Sequence, residues 1–278
     1  MKVVVTGGSG KLGQVVVNDL LDHGHFVLSL DRVPLPTRRT TSWAVDLRQS
    51  GDILQALRGA EGVIHLAAYP APNLVSDSET FNNNIASTHN VLHAAYTMGV
   101  GRAVVASSIA AFGLIYATRE WSPEYLPLDD NHPCRPQDPY GLSKLLGEKI
   151  ADSFAQKSDL TICSFRFPGL ASDYEVFRRR WRDPAEGRKR LWTYIDIRDA
   201  AAACRAGLEA PFRGHEIFTA SAPGSHHDGP TDQLLETYFP KTRKARKELA
   251  GNWSCLDGTK AERILGFRPQ HRWEDNLK

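Results

Sequence analysis

The sequence predicts an α/β protein: a doubly wound parallel sheet covered on both faces by helices, with a small C-terminal lobe. Three observations carry this. Strand-length apolar runs in the first two thirds of the chain lack alternation, so both faces of each strand are buried. Runs with helical spacing separate them, the arrangement of right-handed crossovers between parallel strands. After Pro168 the alternation gives way to shorter, more polar segments.

The elements follow in order. "KVVVTG" is a buried strand that ends at glycines, and "KLGQVVVNDLLDHG" a helix that stops at Gly24. "HFVLSLD" and the shorter "TSWAVDL" are strands, "DILQALRGA" a helix and "GVIHLAA" a strand. "FNNNIASTHNVLHAAYTMGV" is a long helix followed by the strand "GRAVVASS". "PYGLSKLLGEKIADSFAQKS" is a helix followed by the strand "LTICSFRFP". Residues 171–191 lack strand signals and are rich in arginine. "TYIDIRDAAAACRAGLEA" reads as a short strand and a helix, and "HEIFTAS" as a strand. "GPTDQLLETYFP" opens a helix at Pro230, and "TKAERILGFRPQHRW" is a short helix stopped by Gly266. Residues 1–168 therefore form the sheet domain. Residues 169–278 form mainly a substrate-binding lobe, with elements returning to the main sheet.

With 278 residues, 41% of them hydrophobic, the chain is long enough for a large core. The net charge of +2 gives no global attraction to nucleic acid or anionic lipid. The basic runs within "FRRRWRDPAEGRKR" and "TRKARKE" have no aromatic groove to organise them, so no nucleic-acid partner is expected. Four cysteines, Cys134, Cys163, Cys204 and Cys255, form no CxxC pair and fit reduced thiols in a cytoplasmic protein. No signal peptide or membrane span is expected. The histidines, His226 and His227 included, show no ligand spacing with carboxylates, so no metal is expected.

"VVVTGGSGKLG" places Gly7, Gly10 and Gly13 between the first strand and the first helix. Glycines there allow a tight turn and a close backbone approach to a pyrophosphate, which the helix amides then bind. Asp31 ends the next strand, 18 residues after Gly13, where a carboxylate binds ribose hydroxyls. Loop and acid together predict a Rossmann-type dinucleotide site. Asp31 repels a 2′-phosphate and favours NAD over NADP, although Lys11 and Arg32 are basic neighbours.

"DPYGLSKLLGEK" sets Tyr140 and Lys144 one helical turn apart. The pair reads either as a tyrosine lying on a lysine stem or as a phenol tuned by an ammonium to move protons. The rest of the chain favours the second. "TGGSGKLG", "VDL", "VIHLAA", "NNIASTHNVLHAA", "VVASSIAAFG", "PYGLSK" and "FRFPGL" occur in one order, and over nearly the whole chain the sequence resembles the extended short-chain dehydrogenase/reductase family, also called the NAD-dependent epimerase/dehydratase family.

The resemblance implies a catalytic trio of Ser108, Tyr140 and Lys144. Phenol ordinarily ionises near pH 10, and the Lys144 ammonium together with the positive nicotinamide is expected to lower that value. Tyr140 then exchanges a proton with a substrate hydroxyl or carbonyl, Ser108 hydrogen-bonds the same oxygen, and Lys144 also holds the cofactor ribose. The resemblance further implies that Asp46 and Leu47 contact adenine. Leu66, Ala67 and Ala68 pass beside the ribose and pyrophosphate. Lys11 and Leu12 lie in the phosphate loop, Asn84 lies near the active site as a cofactor-binding residue, Ser107 lines the cofactor, and Phe167 and Pro168 cover the nicotinamide. Arg166 and Arg198 are candidates to face substrate, Arg198 with Asp199 also reading as a structural pair. The family often dimerises through the helices holding Asn84 and Tyr140, so a homodimer is expected.

Departures from the family narrow the reaction. Ile109 and Ala110 stand where its dehydratases carry an acidic pair and its uronate dehydrogenases an asparagine–histidine pair. About 25 residues separate Pro168 from "TYIDIRD", short for gripping a nucleotide. The expected activity is hydride transfer between NAD and a small sugar, sugar acid or polyol-like substrate. A UDP-sugar 4-epimerase is the alternative, and a non-catalytic NAD(H)-binding sensor a third reading. The run Phe177–Arg190, with seven basic residues, is read as a solvated face or a carboxylate or phosphate site.

Overall fold

The structure, a computed structural model, describes residues 1–35, 37–180, 182–245 and 249–276. The chain forms β1 (Lys2–Thr6), α1 (Lys11–Asp22), β2 (Phe26–Asp31), β3 (Thr41–Ala44), α2 (Ser50–Ala56), β4 (Gly62–His65), α3 (Asp77–Thr97) and β5 (Arg102–Ser108). The two-residue β6 (Tyr125–Leu126), α4 (Pro139–Gln156), β7 (Thr161–Phe167), β8 (Gly169–Ala171), α5 (Tyr174–Arg180) and α6 (Pro184–Gly187) follow. β9 (Tyr194–Asp196), α7 (Ile197–Glu209), β10 (His215–Thr219), α8 (Thr231–Tyr238), β11 (Arg243–Lys244) and α9 (Thr259–Leu265) complete it.

Seven strands form one parallel sheet in the order β10-β7-β5-β4-β1-β2-β3. The unalternating apolar strands are explained by the two cores they serve. Val3 and Val5 of β1 point into a cluster with α1 and α7, while Val4 points into one with α2, α3 and α4. From β1 the chain winds outward to β2 and β3, then returns to β4 on the other side of β1 and continues to β5, β7 and β10. The strand order reverses between β1 and β4, and a crevice opens at their carboxyl ends, where such sheets bind ligands.

The second half of the chain divides. α7 and β10 belong to the main sheet layers, and Phe218 of β10 joins the α1–α7 core. A third cluster, with Phe112, Leu126, Trp192, Leu234 and Trp253, forms the core beside the sheet. The helix over "FNNNIASTHNVLHAA" starts earlier than its apolar spacing suggests, because Ser76 caps it by accepting the Glu79 amide at 3.2 Å. The arginine-rich stretch contains two short helices, α5 and α6, and β8 pairs with β9, which no alternation announced. Among the described residues, no helix is long and apolar enough to cross a membrane, and no group of three His, Cys, Asp or Glu side chains could hold a metal ion.

Candidate active site

Two connected recesses run along the carboxyl ends of the strands. The first, of about 630 Å³, is lined by Gly7, Gly10, Asp31, Asp46, Leu47, Leu66, Ala67 and Ala68. The second, of about 560 Å³, shares Gly7, Gly10, Leu66 and Ala68 and continues past Lys11, Leu12 and Gly13. It ends at Ser107, Ser108, Tyr140, Lys144, Phe167 and Pro168.

The first recess fits the adenosine half of a dinucleotide. Gly7 has φ +73, and a Cβ on it would lie 2.6 Å from the Ala67 nitrogen. A Cβ on Gly13 would collide with the Gly7 carbonyl oxygen. Backbone therefore closes on backbone here, and the cradle over the α1 N-terminus stays open to a ligand. α1 has no side-chain cap at Gly10, so its first amides remain available to an anion. Asp31 accepts the Ser9 amide at 3.0 Å, which holds the carboxylate beside the loop. Arg32 lies over the Tyr69 ring, 5.2 Å from its centroid, and donates to its hydroxyl at 3.1 Å. Arg48 pairs with Asp46 at 2.6 Å and holds that carboxyl down at about 2.

At the other end, local sequence aims the reactive helix. Asp138 caps α4 by accepting the Gly141 amide at 2.8 Å, and Pro139 occupies the first turn. Tyr140 is thereby fixed in that turn, 8% exposed. Three residues of α4 at four-residue spacing then meet three consecutive residues of β5. Lys144 donates its Nζ to the Ala106 carbonyl at 2.7 Å. Ser107 donates its hydroxyl to Glu148 at 2.6 Å. Ser108, whose Oγ accepts the Ala110 amide at 3.1 Å, stands beside the Tyr140 hydroxyl and acts to lower its pKa.

The electrostatics correct one expectation. Burial dominates the phenol and pushes Tyr140 up to about 12; Ser108 and Arg190 oppose that rise. Burial also brings Lys144 down to about 8, with Glu148 opposing. The ammonium lies 5.7 Å from the Tyr140 ring centroid and is turned to a backbone carbonyl, not to the phenol oxygen. Burial, Ser108, Tyr116, Asp138 and Arg190 are the main influences on the phenol, and Lys144 is not among them.

Three further expectations are corrected. Arg166 does not face the cleft: it is 3% exposed, donates to both Glu148 oxygens at 2.9 and 2.7 Å, and reaches the Asp130 carbonyl at 3.1 Å. Arg198 lies outside the cleft lining and donates to both oxygens of Asp196 at 2.9 and 2.7 Å, its own helix cap, rather than pairing with Asp199. Asn84 is buried behind the cleft wall and bridges the Tyr69 backbone to Ser143 at 3.1 Å, a positioning role and not a cofactor contact. The structure adds Ser9, Gln14 and Asn83 to the first recess and Tyr116, Arg180 and Arg190 to the second. Asn83 is adjacent to a residue the family pattern picked out; the two arginines lie within the singled-out basic run.

The family model for the NAD dependent epimerase/dehydratase family matches residues 3–220. A UDP-glucose 4-epimerase of Lactobacillus helveticus is 30% identical, over all of this chain and 94% of its own length. An NAD-dependent glucose-6-phosphate dehydrogenase of Haloferax volcanii is 30% identical over 79% of this chain and 84% of that protein. Among solved structures, MoeE5 in complex with UDP-glucose and NAD superposes with a TM-score of 0.74 at 23% identity, covering 99% of this chain and 96% of that one, which shows a shared fold. The fold and the cleft define an enzyme of the extended short-chain dehydrogenase/reductase class. Within it, the chain belongs to the NAD-dependent epimerase/dehydratase family, and NAD is the cofactor its cleft is fitted to.

Proposed function

We propose that this chain is an NAD-dependent oxidoreductase that interconverts a hydroxyl and a carbonyl on a small sugar or sugar derivative. One observation carries the reading: Ser108, Tyr140 and Lys144 meet at one end of a cleft whose other end is a glycine cradle with an acid beside it. NAD, when bound, supplies the hydride acceptor for oxidation and, reduced, the donor for reduction.

The chain's own residues then handle the proton. Tyr140 takes the substrate hydroxyl proton during oxidation and returns it to the carbonyl oxygen during reduction. Ser108 hydrogen-bonds that oxygen and orients it. Lys144, fixed on the Ala106 carbonyl, keeps a positive charge beside the cleft below about pH 8. Ile109 and Ala110, both buried and neither able to carry a proton, leave no second acid or base beside Ser108 for a dehydration. Residues 169–278 in part line the substrate end, through Gly169, Leu170, Arg180 and Arg190. We further propose a cytoplasmic homodimer joined through α3 and α4, whose outer faces expose Tyr96, Leu142 and Leu146; light scattering would read its mass.

The deciding experiment incubates the protein with NAD and a panel of free sugars, uronates, sugar phosphates and UDP-sugars, and follows absorbance and products. Lasting NADH formation on a small sugar or its derivative is expected. Interconversion of UDP-sugars with no lasting absorbance change would replace this reading by the 4-epimerase.

A further inference from the structure

One buried histidine has no part in the chemistry above, yet it stands between the two ends of the cleft. His65 closes β4 and is buried, and its register partner on β1 is Thr6. Each of the two immediately precedes a residue of the cleft wall: Gly7 follows Thr6, and Leu66 follows His65. The Thr6 hydroxyl and His65 Nδ1 lie 2.7 Å apart at the root of the glycine cradle.

From there a line of buried hydrogen bonds leads to the helix that carries Tyr140, and its direction is fixed link by link. The Thr88 hydroxyl donates its one proton to the Asn84 carbonyl at 2.8 Å. It can therefore only accept from His65, whose Nε2 lies 3.2 Å away. Burial, and after it the charge of Lys144, hold the His65 ring down at about 3, so the ring is neutral at neutral pH. Nε2 is then its protonated nitrogen, and Nδ1 accepts the Thr6 hydroxyl. On α3, the Asn84 amide donates one N–H to the Tyr69 carbonyl at 3.2 Å and the other to Ser143 Oγ at 3.1 Å. Ser143 in turn donates to the Tyr140 carbonyl at 2.7 Å. Thr6, His65, Thr88, Asn84 and Ser143 are all buried, so a lost link leaves a polar group without its partner.

The cradle, β4, α3 and the first turn of α4 are thus joined in series, and a dinucleotide laid along the cleft spans both ends. We propose that His65 and Ser143 are positioning residues that set the separation between the glycine cradle and Tyr140, so that the cofactor meets a cleft already of the right length. A serial link behaves in a characteristic way. Broken at one point it transmits nothing, and a second break costs no more. Side chains that only fill the core at separate places act independently, and their effects multiply. The link rests on the dinucleotide site; only its effect on turnover rests on the oxidoreductase reading above.

Fluorescence titration with NADH tests this on His65→Leu, Ser143→Ala and the double variant, each checked for folding by its melting transition. Each single substitution is expected to weaken NADH binding about tenfold, the usual cost of a buried hydrogen bond left unmade, and the double variant also about tenfold rather than about a hundredfold. His65→Gln can accept from Thr6 and donate to Thr88, and is expected to recover most of the affinity lost in His65→Leu. Thr88→Val interrupts the same line with little change of volume, and takes the place of His65→Leu if that protein does not fold. A double variant about a hundredfold weaker, a His65→Gln protein as weak as His65→Leu, or single variants that bind NADH like the wild type would each overturn the link. In turnover assays both single variants are expected to lower kcat more than they raise KM. The expected NADH pattern, in a wild-type protein that turns over no substrate, would leave the link standing and defeat the oxidoreductase reading.

Discussion

Glu148 accepts the Ser107 hydroxyl at 2.6 Å, one residue before Ser108 in β5 and eight residues after Tyr140 in α4. The contact fixes the register of the helix against the strand that carries Ser108. Glu148 is 1% exposed, and its charge is balanced by Arg166 across two hydrogen bonds. Removing one partner of such a pair strands the other in the core, at about 3–5 kcal/mol, whereas two apolar residues in place of both are often neutral. Glu148→Gln is therefore expected to lower the melting temperature markedly. Glu148→Leu combined with Arg166→Met is expected to recover most of that loss but not the activity. Calorimetric melting of the three proteins checks this; a Glu148→Gln protein as stable as wild type would show the pair is not needed.

The same substitution predicts a change with pH. Glu148 raises Lys144 against the burial that lowers it to about 8. Without that negative charge Lys144 loses its proton at lower pH. The alkaline fall in kcat/KM is thus expected to move toward neutrality in Glu148→Gln, measured as a shifted limb of the pH–rate profile.

Tyr140→Phe removes the hydroxyl proposed to carry the substrate's proton. Turnover is expected to fall by about 10²–10⁴-fold or more while NADH binding changes little. Ser108→Ala is expected to cost about 10²–10³-fold, the usual effect of deleting one donor at a reacting oxygen. Because the buried phenol lies at about 12, oxidation by the wild-type enzyme is expected to speed up, and reduction to slow down, as pH rises from neutral toward the Lys144 limb near 8. Single-turnover rates in each direction separate the two.

Gly7→Ala places a methyl group against the Ala67 backbone at a left-handed φ, so dinucleotide binding is expected to weaken by at least tenfold. Asp31→Ser removes the carboxylate beside Arg32 and is expected to raise NADPH affinity relative to NADH. Fluorescence titration with both reduced cofactors reads this ratio, and wild-type preference for NADPH would overturn the NAD assignment.

Two buried histidines contribute to the loss of stability in acid, beside the lowered carboxyls of Asp46, Asp152 and Asp196. Burial depresses His65 to about 3 and His226 to about 4, against an ordinary value near 6.5. Between those values the unfolded chain binds protons that the folded one does not. Stability is therefore full above about pH 6.5 and is lost as pH falls toward 3–4, at roughly 1 kcal/mol per pH unit for each fully buried histidine. His65→Gln, which keeps a polar group between Thr6 and Thr88, is expected to flatten this slope in urea melts taken from pH 7 to pH 4.

Much of the site is legible in short stretches of sequence. Gly7, Gly13 and Asp31 are fixed by one turn and the strand that follows it, and Tyr140 and Lys144 by the spacing of one capped helix. Arg166 shows where such reading fails. Its strand "FRFPGL" looked open to substrate, but α4 brings Glu148 against it from 18 residues away. Asn84 was placed near the right elements, yet its amide serves the cleft wall and not the cofactor, because its partners Tyr69 and Ser143 come from two other segments.

The sequence by itself determined the layers and the glycine cradle, since these follow from local periodicity and turns, while the role of Tyr140 comes from the family resemblance and not from its helix spacing. Only the tertiary structure decided which two of seven neighbouring cations enter the cleft, and what holds β5 against α4. Those outcomes depend on side chains far apart in the chain meeting in a low-dielectric interior, where a charge is kept only beside its partner.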